Sequence, residues 1–334
     1  MSAALPVLDR FDRVRLVQGP TPLELLPRLS ERLGGAQIYV KRDDCTGFAA
    51  GGNKGRKLEF LMADATKAGA DTVITAGALQ TNHGRQTAAA AAKLGLKCIL
   101  VLADSVAGRS PAYHAGGNLL LDRLTGAELR RVPASTNTDE EMARVAEELR
   151  RAGRVPYVIP VGGSSPLGSL GYAVAGEEIA QQTKALGIRP AAVVHATGSC
   201  GTQVGLLLGL AAAGIPVTGI CVSRSKDDQE ARVKALLGRT VTELQLDARL
   251  GTLAVEADDR FIGPGYGQPT PGMIEAVRLA AECEGLFLDP VYTGKGFAGL
   301  AQRIREGRYR KDEAVVFVHT GGLPGLFVYD EAFA

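Results

Sequence analysis

From residue 71 onward, short apolar runs of strand length alternate with longer stretches of helical period, and that alternation restricts the chain to few architectures. Residues 71–76, 97–102, 128–132 and 156–160 predict strands, separated by predicted helices over 81–94, 112–124 and 138–152. A second series follows, with strands over 191–195, 217–222 and 314–319 and helices over 203–213, 226–237, 271–284 and 296–306. Upstream, 23–33 predicts a short helix, 37–41 a strand and 54–68 a helix. Buried strands joined by amphipathic helices argue for an α/β fold with parallel sheets covered on both faces, and they place ligands in the loops that follow the strands. The stretch 161–168, dense in Gly, Ser and Pro, is the expected crossover between two lobes.

Bulk properties narrow the partner. A chain of 334 residues can hold two domains or one large one, and 46% hydrophobic with 22% charged residues excludes disordered and fibrous classes. A net charge of +2 with no long basic run gives no footprint for nucleic acid or an anionic membrane. The longest apolar run, 204–217, falls short of the roughly 18 residues that suggest a membrane span, and the first 15 residues lack the pattern of a signal peptide. Cys45, Cys98, Cys200, Cys221 and Cys283 are odd in number, widely spaced and without His at metal-ligand spacing. The expectation is a cytoplasmic protein with no metal and a small-molecule partner.

Several stretches could carry chemistry. Gly51-Gly52-Asn53-Lys54 places a lysine in the first turn of a predicted helix, with Arg56 and Lys57 close by. The helix field and the neighbouring cations disfavour its ammonium form, leaving an amine able to attack a carbonyl; a solvated basic helix start is the plainer reading. Thr197-Gly198-Ser199-Cys200-Gly201-Thr202, between a strand and a helix, converges N–H groups and hydroxyls on an anion, or forms a tight turn. It matches neither the Walker pattern nor the dinucleotide G-x-G-x-x-G. Thr81, Asn82 and His83 open another helix and suit a carboxylate, or simple capping. Tyr266 and Tyr292 sit in Gly-rich loops, and Thr320 precedes Gly321-Gly322 at a strand end. Asp43 and Asp44 beside Lys41 and Arg42 read as an ion-pair corner rather than an acid–base pair. His114, His195 and His319 have no nucleophile motif and read as surface or satisfied histidines.

Together these segments resemble the D-cysteine desulfhydrase and 1-aminocyclopropane-1-carboxylate deaminase family of pyridoxal-phosphate enzymes. The resemblance runs nearly the whole chain through KRDDCTG at 41–47, GGNKGRKLEF at 51–60, QTNHGRQT at 80–87, PVGGSSPLGSLGY at 160–172, TGSCGTQVG at 197–205, GYG at 265–267, DPVYTGK at 289–295 and HTGG at 319–322. It implies a two-lobed fold type II architecture like the tryptophan synthase β-subunit. Residues 1–50 and 166–334 would form the large cofactor-binding domain and 51–165 the small domain carrying the lysine, in a homodimer.

The resemblance also implies roles. Lys54 would hold the cofactor covalently and act as base at the α-carbon, completing a catalytic set with Thr81, Tyr266 and Tyr292. Asn82 would bind the cofactor's 3-oxygen, while Thr197, Gly198, Ser199, Cys200, Gly201 and Thr202 would hold the phosphate with Lys57 nearby. Thr81, Asn82 and His83 would take the substrate carboxylate, and Tyr266 and Tyr292 would flank the reacting atoms. In the cyclopropane deaminases a glutamate follows the motif tyrosine and keeps the pyridine nitrogen protonated; here Thr293 stands there and Thr320 lies nearby, so a neutral hydroxyl is the expected partner. That weakens the electron sink and favours β-elimination, as in desulfhydration of D-cysteine, over ring opening. L-cysteate sulfo-lyase is the alternative branch, and a non-catalytic pyridoxal-phosphate carrier the non-enzyme alternative. The sequence departs from the family pattern at Thr81, usually serine, at Gly55, and at Gly84, where a larger residue is common, so the pocket floor is expected to differ. Arg224 reads as a surface arginine that could meet a second anionic group.

Overall fold

In the computed structural model, which describes residues 8–334, the apolar runs pair into two sheets. Strands β1 (Leu23–Leu25) and β2 (Gln37–Arg42) come first. The chain then builds a four-stranded sheet from β3 (Thr72–Ala78), β4 (Lys97–Asp104), β5 (Glu128–Pro133) and β6 (Pro156–Val158), in the order β5-β4-β3-β6. It returns through β7 (Pro190–Thr197), β8 (Val217–Cys221), β9 (Glu256–Asp258) and β10 (Ala314–His319), completing a six-stranded sheet in the order β1-β2-β10-β7-β8-β9. Every pairing is parallel except that of β1 with β2. Strands β8 and β10 are buried along their whole length, which is why they read as mainly apolar runs without the alternation of a half-exposed strand. No helix among the described residues is long and apolar enough to cross a membrane.

The predicted helix over 23–33 is corrected by the structure. Leu23–Leu25 pairs with β2, and the helix begins only at Pro27, whose missing N–H costs nothing at a first helical turn. The predicted helix over 112–124 is likewise regular only from Gly117. The expected crossover at 161–168 is shorter than predicted, because a 20-residue helix, Pro166–Ala185, starts inside it. Ser165 accepts from the Gly168 N–H as its cap and Pro166 fills the first position, a start signal masked by the surrounding glycines.

Those glycines pack backbone against backbone. A Cβ on Gly205 would lie 2.3 Å from the Ser169 carbonyl oxygen, and one on Gly209 2.2 Å from that of Ala173. The fully buried helix Gly201–Leu210 is thereby pressed against Pro166–Ala185 at a distance no side chain permits.

The Arg42-Asp43-Asp44 corner is an ion-pair corner. Asp43 accepts from Arg56 Nε at 2.8 Å and Tyr172 Oη at 2.6 Å, while Arg56 also reaches Glu178, which binds Lys41 at 2.7 Å. Asp44 pairs with Arg42 at 2.8 Å. Burial alone would raise the Asp43 pKa, but Arg56, Lys41 and the Tyr172 hydroxyl together outweigh it and hold the carboxyl below its ordinary value.

Candidate active site

A cavity of about 400 Å³ opens at the carboxyl ends of strands from both sheets. Asn53 and Lys54 reach it from the loop after β2, Thr81, Asn82 and His83 from the turn after β3, and Thr197 to Cys200 from the turn after β7. Thr202, Tyr266, Tyr292 and Thr320 complete the predicted lining. Two predicted residues, Lys57 and Gly201, stand behind the wall and act through it.

Lys54 is the first residue of the helix Lys54–Lys67 and is half-buried, its Nζ bonded to Asn53 Oδ1 at 3.1 Å. Burial lowers its pKa to about 8, against an opposing pull from the Asp289 carboxylate. Desolvation, more than the helix field and the nearby cations expected from sequence, is the main physical cause of the lowered value.

Lys57 is fully buried one turn further on and donates to the Gly162 carbonyl at 3.1 Å and to Ser164 Oγ at 3.3 Å. Among the described residues no carboxylate is bonded to it, and burial, aided by Lys54, pushes its pKa well below 10.5. Ser164 Oγ meets Ser199 Oγ at 2.9 Å and accepts from the Gly201 N–H at 3.1 Å, so Lys57 stands directly behind the turn. Cys200 takes a φ of 75°, a left-handed conformation that turns the chain sharply into the helix Gly201–Leu210. A Cβ on Gly201 would sit 3.0 Å from Lys57 Nζ and 2.9 Å from Ser164 Oγ, so the glycine lets the helix start lie close to the lysine amine. A helix N-terminus backed by an unneutralised buried lysine fits a phosphate. Asn53 Nδ2 bonds Thr202 Oγ1 at 3.0 Å, tying the Lys54 loop to this cradle. Ser164 and Asn53 were missed as site residues from sequence; both lie in stretches that carry the resemblance, with no role given to either side chain.

Asn82 is oriented by residues that sequence reasoning also missed. Arg85, buried, can only donate, and its Nε donates to Asn118 Oδ1 at 2.8 Å. Asn118 Nδ2 must then face the other way, where it donates to the Gln80 carbonyl and to Asn82 Oδ1, both at 3.0 Å. With its oxygen engaged, Asn82 is left with an NH₂ to offer an acceptor such as a phenolic oxygen.

His83 differs from expectation. Thr75 Oγ1 donates to the Ile159 carbonyl at 2.8 Å, so it must accept from His83 Nε2, 2.9 Å away. Nδ1 is therefore a bare acceptor, buried without a partner, and burial with Lys54 and Lys57 nearby keeps the ring neutral. The ring cannot donate to a carboxylate. Its backbone N–H, in the first turn of the helix Asn82–Lys93, remains suited to that task.

Tyr266 and Tyr292 share a hydrogen bond of 2.7 Å between hydroxyls, with rings edge to face at 5.9 Å. Burial raises Tyr292 to about 12 and Tyr266 well above its ordinary value, so both phenols stay protonated at neutral pH. Thr293 is corrected as a ring-nitrogen partner: its hydroxyl is buried, donating to Asp289 Oδ1 and accepting from the Asp289 N–H, both at 2.7 Å. Thr320 lines the cavity, and its hydroxyl has no protein partner among the described residues. Gly55 faces Val17 and Phe48, not the cavity. Arg224, expected at the surface, reaches the cavity and donates to the Gly198 carbonyl at 3.0 Å.

Comparison with known proteins agrees with this geometry. A family model described as pyridoxal-phosphate dependent enzyme matches residues 14–321. A D-cysteine desulfhydrase of Salmonella newport is 47% identical over 324 residues, covering 96% of this chain and 97% of the relative. One from Salmonella choleraesuis is 47% identical over 325 residues with the same coverage. A crystal structure of an ACC deaminase homologue, 39% identical, is similar with a TM-score of 0.89 and covers 99% of each chain.

Proposed function

Because the chain belongs to the family of pyridoxal-phosphate-dependent enzymes, we propose that it is a carbon–sulfur lyase converting D-cysteine and water to pyruvate, sulfide and ammonia, the desulfhydration for which its relatives are named. The observation that carries the reading is Lys54, an amine of lowered pKa facing the cavity that Lys57 and the Cys200 turn prepare for a phosphate.

When bound, pyridoxal phosphate supplies a conjugated ring that accepts electron density from the α-carbon. Lys54 would hold the cofactor and, once the substrate's amine has displaced it, would take the α-proton as a free amine. The Thr81 hydroxyl and the first N–H groups of the helix Asn82–Lys93 bind the carboxylate. The carbon–sulfur bond breaks with its electron pair leaving on sulfur, and the protonated pair Tyr266 and Tyr292 supplies the proton. Thr320 offers the ring nitrogen only a neutral hydroxyl, which suits β-elimination and disfavours ring opening of 1-aminocyclopropane-1-carboxylate.

One observation favours a second reading. Arg224 at the cavity could meet the sulfonate of L-cysteate, with sulfite as leaving group. Purified, cofactor-loaded protein should release pyruvate and sulfide from D-cysteine in preference to L-cysteine, L-cysteate and the cyclopropane amino acid. Preferential release of sulfite from L-cysteate would transfer the assignment to the sulfo-lyase, and silence on all four with the cofactor still bound would overturn the D-cysteine assignment in favour of another β-eliminated substrate or a carrier.

The same reading takes residues 51–165 as a small domain inserted into a large one, in a cytoplasmic homodimer. Leu124, exposed at the end of the helix Gly117–Leu124, and Phe327, exposed just past the neighbouring helix Leu323–Leu326, support a covered face. Light scattering should give twice the 34.9 kDa chain mass; a monomer would remove the dimer from the account.

A further inference from the structure

Thr81 and Gly84 pack directly against one another. Gly84 is the third residue of the helix Asn82–Lys93, and a Cβ built on it would lie 2.5 Å from Thr81 Cγ2. On the opposite side, a Cβ on Gly77 in β3 would lie 2.6 Å from Thr81 Oγ1 and 2.7 Å from Thr81 Cβ. The Thr81 side chain therefore fills a notch that exists only because both positions are glycine. Gly84 has a φ outside the left-handed region, so nothing in its backbone conformation demands glycine.

The notch fixes a direction. Thr81 Oγ1 accepts from the Gly84 N–H at 3.2 Å, so its own hydrogen must go elsewhere, and no acceptor among the described residues takes it. A β-branched side chain has few χ1 positions, and only one seats the methyl against Gly84 while the oxygen caps the helix. The hydroxyl hydrogen is then left for an acceptor in the cavity that Thr81 lines.

We propose that Gly77 and Gly84 form a notch keyed to the Thr81 methyl, and that Gly84 is a positioning residue that aims the Thr81 hydroxyl at the substrate carboxylate. The proposal rests on the assignment of Thr81 to the substrate site. The Thr81 methyl occupies the volume that a side chain at 84 would need. Gly84 does not touch substrate; it acts through the methyl.

The test compares Gly84→Ala, Thr81→Ser and the double variant, each as cofactor-free and as loaded protein. In an unobstructed helix, alanine for glycine raises the melting temperature. Here Gly84→Ala should lower it. In the loaded protein it should cost about 100-fold in kcat/KM for D-cysteine, expressed mainly in KM, because a carboxylate donor is displaced. Adding Thr81→Ser removes the clashing methyl, so the double variant should melt above Gly84→Ala and recover to within about tenfold of Thr81→Ser. If Gly84→Ala fails to fold, a soluble, active double variant supports the notch and an insoluble one overturns it. A rise in melting temperature for Gly84→Ala, or a double variant no better than Gly84→Ala, overturns it too. The melting comparison needs no turnover, so the notch stands or falls separately from the choice of D-cysteine as substrate.

Discussion

Lys54 and Lys295 both have pKa values lowered by burial to about 8, so basicity does not choose between them. Their bonds do. Lys295 Nζ donates to the carbonyls of Ile262 and Gly265, at 2.7 and 2.9 Å, and so anchors the loop that carries Tyr266. Lys57 is held by Gly162 and Ser164, and Lys41 by Glu178, Gln182 and the Thr21 carbonyl. Lys54 alone among these lines the cavity, with one side-chain bond to give up. At pH 7 a lysine of pKa about 8 is about 10% free amine, against about 0.03% at an ordinary value near 10.5. This enrichment is large enough to matter for attack on a carbonyl. The lysine itself was legible from its place after two glycines at a helix start. That His83 is a neutral acceptor was not legible, because its tautomer is set by Thr75 and Ile159, which no local motif links to it.

The helix Lys54–Lys67 aims the lysine only if the helix itself is held. Gln86 Oε1 accepts from the Gly55 N–H at 2.7 Å, and Arg56 binds Asp43 and Glu178 across the junction with the larger sheet. Asp43→Ala would leave Arg56 short of a buried partner and the Tyr172 hydroxyl unsatisfied, so the account expects a loss of about 3–5 kcal/mol in urea unfolding. A loss below about 1 kcal/mol would mean that the cluster does not anchor the helix. The folded pKa of Asp43 lies below its ordinary 3.8, so its contribution is full above that value and vanishes as pH falls through the folded one. The charged corner was readable from Lys41-Arg42-Asp43-Asp44, since adjacent opposite charges predict pairing. The helix Pro166–Ala185 was not, because glycine is a poor helix former by itself and its use in close packing depends on the helix Gly201–Leu210, far along the chain.

At the scale of the molecule, alternating strands and helices gave the parallel sheets and put the site at their carboxyl ends, as the cavity bears out. What alternation could not give is that two sheets would close on one cavity, since the distance from Lys57 to Ser164 and the cradle behind Gly201 depends on chain segments about a hundred residues apart. The central claim is that this arrangement selects Lys54 from several buried lysines as the one that holds the cofactor. Borohydride reduction of the loaded chain, with the modified peptide mapped by mass and the initial rate of attachment followed across pH, tests it most directly. The account predicts modification of Lys54, at a rate that rises with pH and levels off above about 8, where the amine is free. Modification of Lys57 or Lys295 instead, or a rate still climbing toward 10.5, would contradict it.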